Sequence, residues 1–283
     1  MAPNLLGEIY CPIGDNMPNE QSSFDDIFNK AYEDKSPNFD KHINIALVGK
    51  VSTGKSSLIN AIFQRDRNNP IAEVGALSGI TKEIKAFKLE DDILIIDCPG
   101  LDDVRSENSK ETIDFLKKID LGIFVVTGSA DSSQKNNFED VKENSKKMFL
   151  VLNKIDEWDD LEESELHSVI EQWKSTLGVG EIFPTCTKGY DPKMRKDASM
   201  DIRGVDELRE KINDFLDQEK KGIIFAKHLK EKDRYAIKII AAALASVAAE
   251  AFIPGSAAYI TATQVVAISS LNYLYTGDAL TGC

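Results

Sequence analysis

The segment from Gly49 to Ser57 has the residue types and spacing that phosphate chemistry requires, because it fits the pattern GxxxxGK[ST]. Its glycines let the backbone wrap around phosphate oxygens, while successive N–H groups and the start of a helix supply positive potential. Lys55 adds charge at the β and γ oxygens, and Ser56 offers a hydroxyl to Mg²⁺. We predict that the phosphates are contacted by Lys50, Val51, Ser52, Thr53, Gly54, Lys55, Ser56 and Ser57.

A second group of oxygen ligands follows a later apolar strand, where Asp97 and Gly100 stand in the run Asp-Cys-Pro-Gly. A carboxylate at this point can hold a magnesium-bound water, and the Gly100 N–H can meet the γ-phosphate. Alone, this spacing is typical of an ordinary turn. Behind a phosphate-binding loop it favours a functional site.

Thr81 ends a Gly- and Ser-bearing segment, 75–81, that is suited to a loop closing on nucleotide. We predict that its hydroxyl is a second ligand of the metal, the alternative being an ordinary residue at the entry of a strand. The predicted metal ligands are Ser56, Thr81 and Asp97. The predicted catalytic residues are Lys55, Thr81, Gly100 and Ser52.

A third motif, Asn153-Lys154-Ile155-Asp156, follows another apolar strand and suits recognition of a purine base. Asp156 can accept hydrogen bonds from the ring N–H and the amino group of guanine together, a donor pair that adenine lacks. Asn153 would support the loop, and the stem of Lys154 would cover the base. A backbone N–H for the guanine carbonyl is expected from Thr185, Cys186 or Thr187, so the sequence predicts GTP and GDP as ligands.

Buried strands alternate with amphipathic helices in the order that builds a parallel sheet covered on both faces, so we predict an α/β fold. The predicted strands are 43–48, 83–90, 92–97, 121–127, 147–153 and 180–184, and the predicted helices are 55–63, 109–118, 133–146, 161–176 and 205–218. Three regions follow from this: an amino-terminal arm, 1–41, with a short helix over Ser23–Tyr32; a nucleotide-binding domain, 42–219; and a carboxyl-terminal region, 220–283.

Composition narrows the functional classes further. The chain has 283 residues and a formal charge of -13, which argues against general affinity for nucleic acid, so no specific nucleic-acid partner is predicted. Its four cysteines lie far apart without zinc-type spacing, and the amino terminus lacks the pattern of a secretory signal. A cytoplasmic location is expected.

The carboxyl-terminal region combines a basic stretch, 220–238, with two apolar runs separated by Pro254-Gly255, which predicts a helical hairpin. Neither run makes a convincing transmembrane span. One interpretation is a shallow hairpin in one leaflet, with 220–275 facing an anionic membrane surface as a peripheral protein. The other is a soluble hairpin whose apolar faces pack together or onto a second copy.

The stretches GKVSTGKSSLINAIF, GITKEI, DCPGLDD and NKID resemble translation-factor-related GTPases of the Era and TrmE type, over roughly residues 43–218. This resemblance implies a six-stranded, mainly parallel sheet, GTP and Mg²⁺ as ligands, hydrolysis to GDP and phosphate, and switch segments near 65–82 and 98–110. The hairpin resembles the uncharacterised helical tail that follows many bacterial Era-type GTPase domains.

One departure concerns the residue that positions the attacking water. Ras-like proteins have glutamine directly after DxxG, whereas this chain has Leu101. Members of the Era and TrmE group find help elsewhere, often from a monovalent cation at a dimer interface; the asparagine of the TrmE potassium site corresponds here to Ser52, as in dynamins. We expect slow hydrolysis that is accelerated by homodimerisation across the nucleotide face, with a role for Na⁺ or K⁺ left open.

Two other classes compete with a GTP-hydrolysing switch. The first is a pseudo-GTPase that binds nucleotide as an interaction scaffold, which the intact Lys55, Ser56 and Asp97 disfavour. The second is a dynamin-like membrane-remodelling GTPase, which Ser52 and the apolar tail favour and the lack of a long helical stalk disfavours.

Overall fold

The computed structural model describes residues 20–39, 41–71, 85–98, 100–101, 117–190, 195 and 197–280. The strands are β1 Ile43–Val48, β2 Lys85–Leu89, β3 Ile93–Cys98, β4 Ile119–Val126, β5 Ser145–Asn153, β6 Phe183–Lys188 and β7 Asp201–Arg203. The helices are α1 Glu20–Lys35, α2 Lys55–Ile62, α3 Lys135–Asn144, α4 Glu163–Leu177, α5 Val205–Gln218, α6 Gly222–Lys227, α7 Asp233–Glu250 and α8 Ser256–Thr276.

The strands form one mixed sheet in the order β2-β3-β1-β4-β5-β6-β7. The five inner strands are parallel, and the edge strands β2 and β7 run antiparallel to their neighbours. Val48, at the end of β1, lies opposite both Cys98 on β3 and Phe124 on β4. The carboxyl ends of these strands are therefore aligned, which gathers the loops that follow them at one edge of the sheet.

Helices cover both faces of this sheet because neighbouring strand residues point to opposite sides. Leu47 belongs to a core that includes residues of α2, α5 and α6, whereas the adjacent Val48 belongs to a core that includes Phe138 of α3 and Trp173 of α4. Both strand residues are fully buried. The near-continuous apolar run of β1 thus reflects burial on both faces, as expected of an inner parallel strand.

The α/β fold predicted from the sequence is confirmed, with differences at the edges. β6 begins at Phe183 rather than at residue 180, and a seventh, short strand, β7, pairs with it through Thr187 and Ile202. Most of the predicted helix 109–118 lies outside the described residues; the described part, Lys117 and Lys118, forms a turn. The short β7 carries little apolar signal of its own, which is why alternation did not reveal it.

The chain divides into two compact units. One comprises residues 37–239 with 269–283 and contains the sheet; the other comprises residues up to 36 together with 240–268. The predicted division into 1–41, 42–219 and 220–283 stays a prediction.

Within the smaller unit, Lys35 of α1 forms an ion pair with Glu250 of α7 and donates hydrogen bonds to Ser246 at 3.1 Å and Thr263 at 2.7 Å. Glu250 is buried, with 5% of its surface exposed. The charge at the end of α7 is therefore satisfied inside the unit.

Residues 251–255 connect α7 to α8 and contain the Pro254-Gly255 pair that the sequence marked as a break. Gly255 has a φ of 78°, in the left-handed region that glycine adopts without steric cost. The predicted hairpin is present as two helices. None of the helices within the described part of the chain is long and apolar enough to span a membrane.

Candidate functional site

The loop between β1 and α2 carries the residues for which the sequence predicts a phosphate-binding cradle. Gly54 has a φ of 84°, and a Cβ built there would collide with the side-chain nitrogen of Asn153. A Cβ at Gly49 would collide with the backbone oxygen of Val125, on the neighbouring strand β4. Both positions therefore require glycine because the loop passes directly against other backbone and side-chain atoms.

Lys55, Ser56 and Asp97 converge beside this loop, as the cradle and metal predictions require. The Lys55 ammonium donates to the backbone oxygens of Gly49 at 2.7 Å and Lys50 at 3.2 Å, and lies 3.4 Å from one oxygen of Asp97. The Ser56 hydroxyl donates to the other Asp97 oxygen at 3.3 Å. A positive charge, a hydroxyl and a carboxylate thus meet at the start of α2, a donor set that suits phosphate and a hard divalent cation.

Burial governs the electrostatics of this group. Asp97 has 5% of its surface exposed, and this burial raises the pKa of its carboxyl above the ordinary value, against the opposing effect of Lys55. A bound divalent cation would favour the charged carboxylate. A divalent cation bound here would therefore oppose the effect of burial on the Asp97 carboxyl.

Asn153 joins the loop for the base to the phosphate cradle. Its amide nitrogen donates to the backbone oxygen of Thr53 at 2.9 Å, and its oxygen accepts from the hydroxyls of Thr185 at 3.1 Å and Thr187 at 3.2 Å. Asn153 and Thr185 are fully buried. Three separate loops, after β1, β5 and β6, are therefore tied together by one amide side chain.

Asp156 lies next to Cys186, as the predicted guanine site requires. The Cys186 thiol donates to one Asp156 oxygen at 3.4 Å, and Lys188 lies 3.5 Å from the other. Burial raises the pKa of Cys186 to about 11, so the thiol stays protonated and keeps its hydrogen at neutral pH. Lys154 has a φ of 64°, a left-handed turn that starts the short helix Ile155–Trp158, on which Asp156 lies.

The outer part of the cradle is held by an ion pair between Lys50 and Asp131, which follows β4. Asp131 also caps the short helix Ser132–Gln134 by accepting from the Ser133 N–H at 2.9 Å. Sequence reasoning did not find this residue. Its signal was available, since it is an acid just beyond the carboxyl end of an apolar strand, where ligands of parallel sheets bind.

The remaining predicted residues differ in where they lie. Val51 is 79% exposed, and Ser52 has a φ of 70°, so both project from the outer turn of the cradle. Ser57 is buried on α2. Gly100 lies beside the side chain of Asn137, at 3.2 Å from a Cβ built on it, and Thr81 is outside the described residues.

Leu101, the residue that stands where water-positioning glutamine occurs in Ras-like proteins, is completely buried. It belongs to the core that includes Phe138 and Ile96. The side chain at this position therefore packs the sheet instead of facing the phosphate site. An amide that orients water must come from elsewhere if this domain uses one.

Known proteins match the part of the chain that carries this site. A family described as "50S ribosome-binding GTPase" matches residues 44–154. GTPase Der of Nautilia profundicola is 30% identical over 189 residues, which is 63% of this chain and 36% of that protein. The Fe(2+) transporter FeoB of Helicobacter pylori is 33% identical over 169 residues, 57% of this chain and 25% of that protein.

A shorter and closer match is the probable GTP-binding protein EngB of Rickettsia rickettsii, which is 45% identical over 64 residues, 23% of this chain and 28% of that protein. The chain spans between a quarter and about a third of the length of these curated relatives. The matched region, 44–154, contains the cradle, Asp97, Asn153 and Lys154. Over residues 44–154 the chain is therefore similar to the GTP-binding domains of these GTPases.

Proposed function

We propose that the chain binds GTP together with Mg²⁺, hydrolyses it to GDP and phosphate, and acts as a molecular switch. The observation that carries this proposal is that the Lys55 ammonium and the Ser56 hydroxyl both lie within 3.4 Å of the Asp97 carboxylate. Asn153 connects this group to the loop of Asp156, so phosphate recognition and base recognition share one scaffold. Such a scaffold favours a guanine nucleotide held at both ends.

Each residue has a distinct part in the proposed reaction. Lys55 would neutralise the charge that builds up on the β and γ oxygens, which is the main source of catalysis in phosphoryl transfer. Mg²⁺ would be held by Ser56 and, through water, by Asp97, and when bound it supplies further charge neutralisation. We propose that Thr81 is the second hydroxyl ligand of Mg²⁺, that the Gly100 N–H donates to the γ-phosphate, and that Asp156 selects guanine.

Slow intrinsic turnover follows from the burial of Leu101, since the side chain after DxxG contributes no polar group. We propose that association of two copies across the nucleotide face accelerates hydrolysis. The most exposed parts of the cradle, Val51 and Ser52, are the residues that would meet a second copy or a monovalent cation such as Na⁺ or K⁺.

The test is single-turnover GTP hydrolysis at several protein concentrations, in Na⁺ and in K⁺, with Lys55→Ala and the matched control Lys211→Ala. Lys211 is an exposed lysine of α5, far in sequence from the cradle. We expect the rate per molecule to rise with protein concentration, Lys55→Ala to abolish turnover, and Lys211→Ala to leave it unchanged. A rate that is independent of protein concentration and of the cation would overturn the dimer proposal.

Binding without turnover would instead identify a pseudo-GTPase or scaffold. In that case the wild type would bind GDP and GTP tightly but hydrolyse GTP no faster than Lys55→Ala does. It would leave the base and phosphate assignments intact while removing the enzymatic step.

A second proposed property is peripheral association with a membrane from a cytoplasmic location. Residues 240–268 carry a single charged side chain, Glu250, and it is buried against Lys35. Large apolar side chains nevertheless face outward in the same stretch: Ile240, Leu244, Phe252, Ile253 and Ile268, with Phe252 90% exposed. An uncharged, apolar outer surface favours contact with the acyl region below the headgroups.

Electrostatic attraction contributes less than the basic composition of 220–238 implies. Lys221, Lys227, Arg234 and Lys238 form ion pairs with acidic residues of the larger unit. Apolar insertion is therefore the stronger part of this proposal, with anionic headgroups as the secondary part.

Flotation with neutral and with anionic vesicles tests this property. Phe252→Ser with Leu244→Ser should release the protein from vesicles, whereas Leu161→Ser, which removes an apolar residue that is 55% exposed and lies outside the hairpin, should not. Equal flotation of all three proteins would sink the insertion proposal. Tubulation of the vesicles with GTP would instead favour the dynamin-like alternative.

A further inference from the structure

A cavity of about 480 Å³ lies in the larger unit, away from the nucleotide cradle. It is bounded by the end of α2, the turn between β2 and β3, and the segment from α6 to α7. Its volume is typical of sites for small molecules and too small for a macromolecular partner to occupy. None of the residues predicted to contact the nucleotide lines it, although Arg65, Asp66 and Asn69 lie at the start of the predicted switch segment 65–82.

The lining of this cavity is positively charged in a protein whose formal charge is -13. Two acidic side chains, Asp66 and Glu90, face five cationic ones. The cationic residues are Arg65, Lys88, Lys227, Lys230 and Lys232. The lining residues thus carry an excess of three positive charges, and Asp91 and Asp92, which pair with Lys88 and Lys227 from just outside the lining, reduce the local excess to one. Such an excess in a concave site attracts anions.

Three of these cations are already engaged. Lys227 contacts Glu90 at 2.7 Å and Asp92 at 2.5 Å, and Lys88 contacts Asp91 at 2.6 Å. Lys232 donates to the backbone oxygen of Leu274 at 2.9 Å. These contacts hold the side chains in place, so part of the positive lining is fixed before any ligand arrives.

Arg65 and Lys230 differ from the other three. Among the described residues, neither has an ion-pair partner, and the Nε atom of Arg65 is buried without a hydrogen-bond acceptor. A buried donor without an acceptor is costly and rare in folded proteins. An anion in the cavity would neutralise both side chains.

Lys232 is a further cation of the lining. Burial lowers the pKa of its ammonium, Glu90 opposes this effect, and the nearby charge of Lys227 adds to it. The apolar residues Phe63, Leu89 and Leu229 also line the cavity and could contact the uncharged part of a ligand.

We propose that this cavity binds a small phosphate-bearing organic anion, with Arg65 and Lys230 as its principal ligands. The planar guanidinium of Arg65 can donate to two phosphate oxygens at once, and Lys230 can add a point charge. This proposal stands independently of GTP hydrolysis, because the nucleotide site is formed by other residues.

The test uses the full chain saturated with GDP and Mg²⁺, so that the cradle is closed to further phosphate. Inorganic phosphate and phenyl phosphate are titrated separately by calorimetry at constant ionic strength. We expect one additional site, with phenyl phosphate binding more tightly than inorganic phosphate because of the apolar lining. The double variant Arg65→Gln with Lys230→Gln should weaken phenyl phosphate binding by about tenfold or more, since two charge-assisted contacts are lost.

Two controls make the outcome specific. Lys211→Gln removes a positive charge outside the cavity and should leave binding unchanged, and Arg65→Lys should restore part of the affinity lost in Arg65→Gln. Unchanged GDP affinity and melting temperature show that the variants fold. Three results would each overturn the proposal. The double variant binds phenyl phosphate as tightly as the wild type, Lys211→Gln weakens binding as much as the double variant does, or a single-stranded oligonucleotide displaces phenyl phosphate and binds more tightly.

Discussion

Replacing Asn153 by alanine should destabilise the domain and weaken nucleotide binding at once. The side chain is fully buried and makes three hydrogen bonds, one to the backbone of Thr53 and two from the hydroxyls of Thr185 and Thr187. Each net bond contributes about 1 kcal/mol, so the loss in free energy of unfolding should be about 3 kcal/mol. The substitution also leaves the Thr53 carbonyl and the hydroxyls of Thr185 and Thr187 without their partner. Unless water replaces that partner, these unpaired groups add to the cost.

Urea unfolding of the nucleotide-free and the GDP-bound protein separates the two effects. The nucleotide-free measurement gives the structural cost, and the additional change with GDP gives the weakening of binding by linkage. Thr185→Val removes only one of the three bonds and should cost about a third as much. A double-mutant cycle between the two positions should show a coupling of about 1 kcal/mol, because the residues share that bond.

The matched control is Asn136→Ala, which truncates an exposed asparagine of α3. Surface changes of this kind normally alter stability by less than about 0.5 kcal/mol. If Asn153→Ala destabilised the protein no more than Asn136→Ala, the conclusion that one amide holds three loops together would be wrong. That conclusion would also be wrong if the effects of Asn153→Ala and Thr185→Val on the free energy of unfolding were additive.

Three other outcomes follow from the geometry. Gly54→Ala should abolish nucleotide binding, measured with a fluorescent GDP analogue, because its Cβ collides with Asn153; retention of binding would show that the loop can relax. Cys186→Ser should keep guanine selectivity because a donor to Asp156 remains, whereas Cys186→Ala should reduce GDP affinity by about 0.5 to 1.5 kcal/mol, compared in the same assay. Burial raises the pKa of Asp92, but hydrogen bonds from His228 and Lys227 outweigh this effect and lower it. The ionised Asp92 therefore contributes to stability at neutral pH, and this contribution is lost as the pH falls below the ordinary carboxyl pKa of about 4. Urea midpoints measured against pH should show this loss, and Asp92→Asn should flatten the curve in that range.

Residues that act through backbone and local spacing were the ones that the sequence predicted well. The cradle, Asp97, Asn153 and Asp156 each follow an apolar strand, and their order fixes the edge of the sheet at which they meet. The structure brings these side chains together at that edge, and their roles toward a nucleotide stay predictions. The class of domain and its α/β fold follow from the same signals.

Contacts between distant positions were not predictable from one sequence. Lys35 and Glu250 are separated by 215 residues, and nothing in their local surroundings indicates that they pair. Lys50 and Asp131 are a second example, joined only because β1 and β4 are neighbours in the sheet. Strand β7, with three residues, is too short for its periodicity to be recognised.

The Lys35–Glu250 pair has a consequence for shortened versions of the chain. A fragment that begins at the start of the sheet, near residue 42, would lack α1 and leave Glu250 buried without its cation. Leaving a buried carboxylate without its cation is costly, and residues 240–268 carry no other charged side chain to compensate. Truncation at the amino-terminal side of the GTPase domain should therefore expose or unfold a segment more than 200 residues further along the chain.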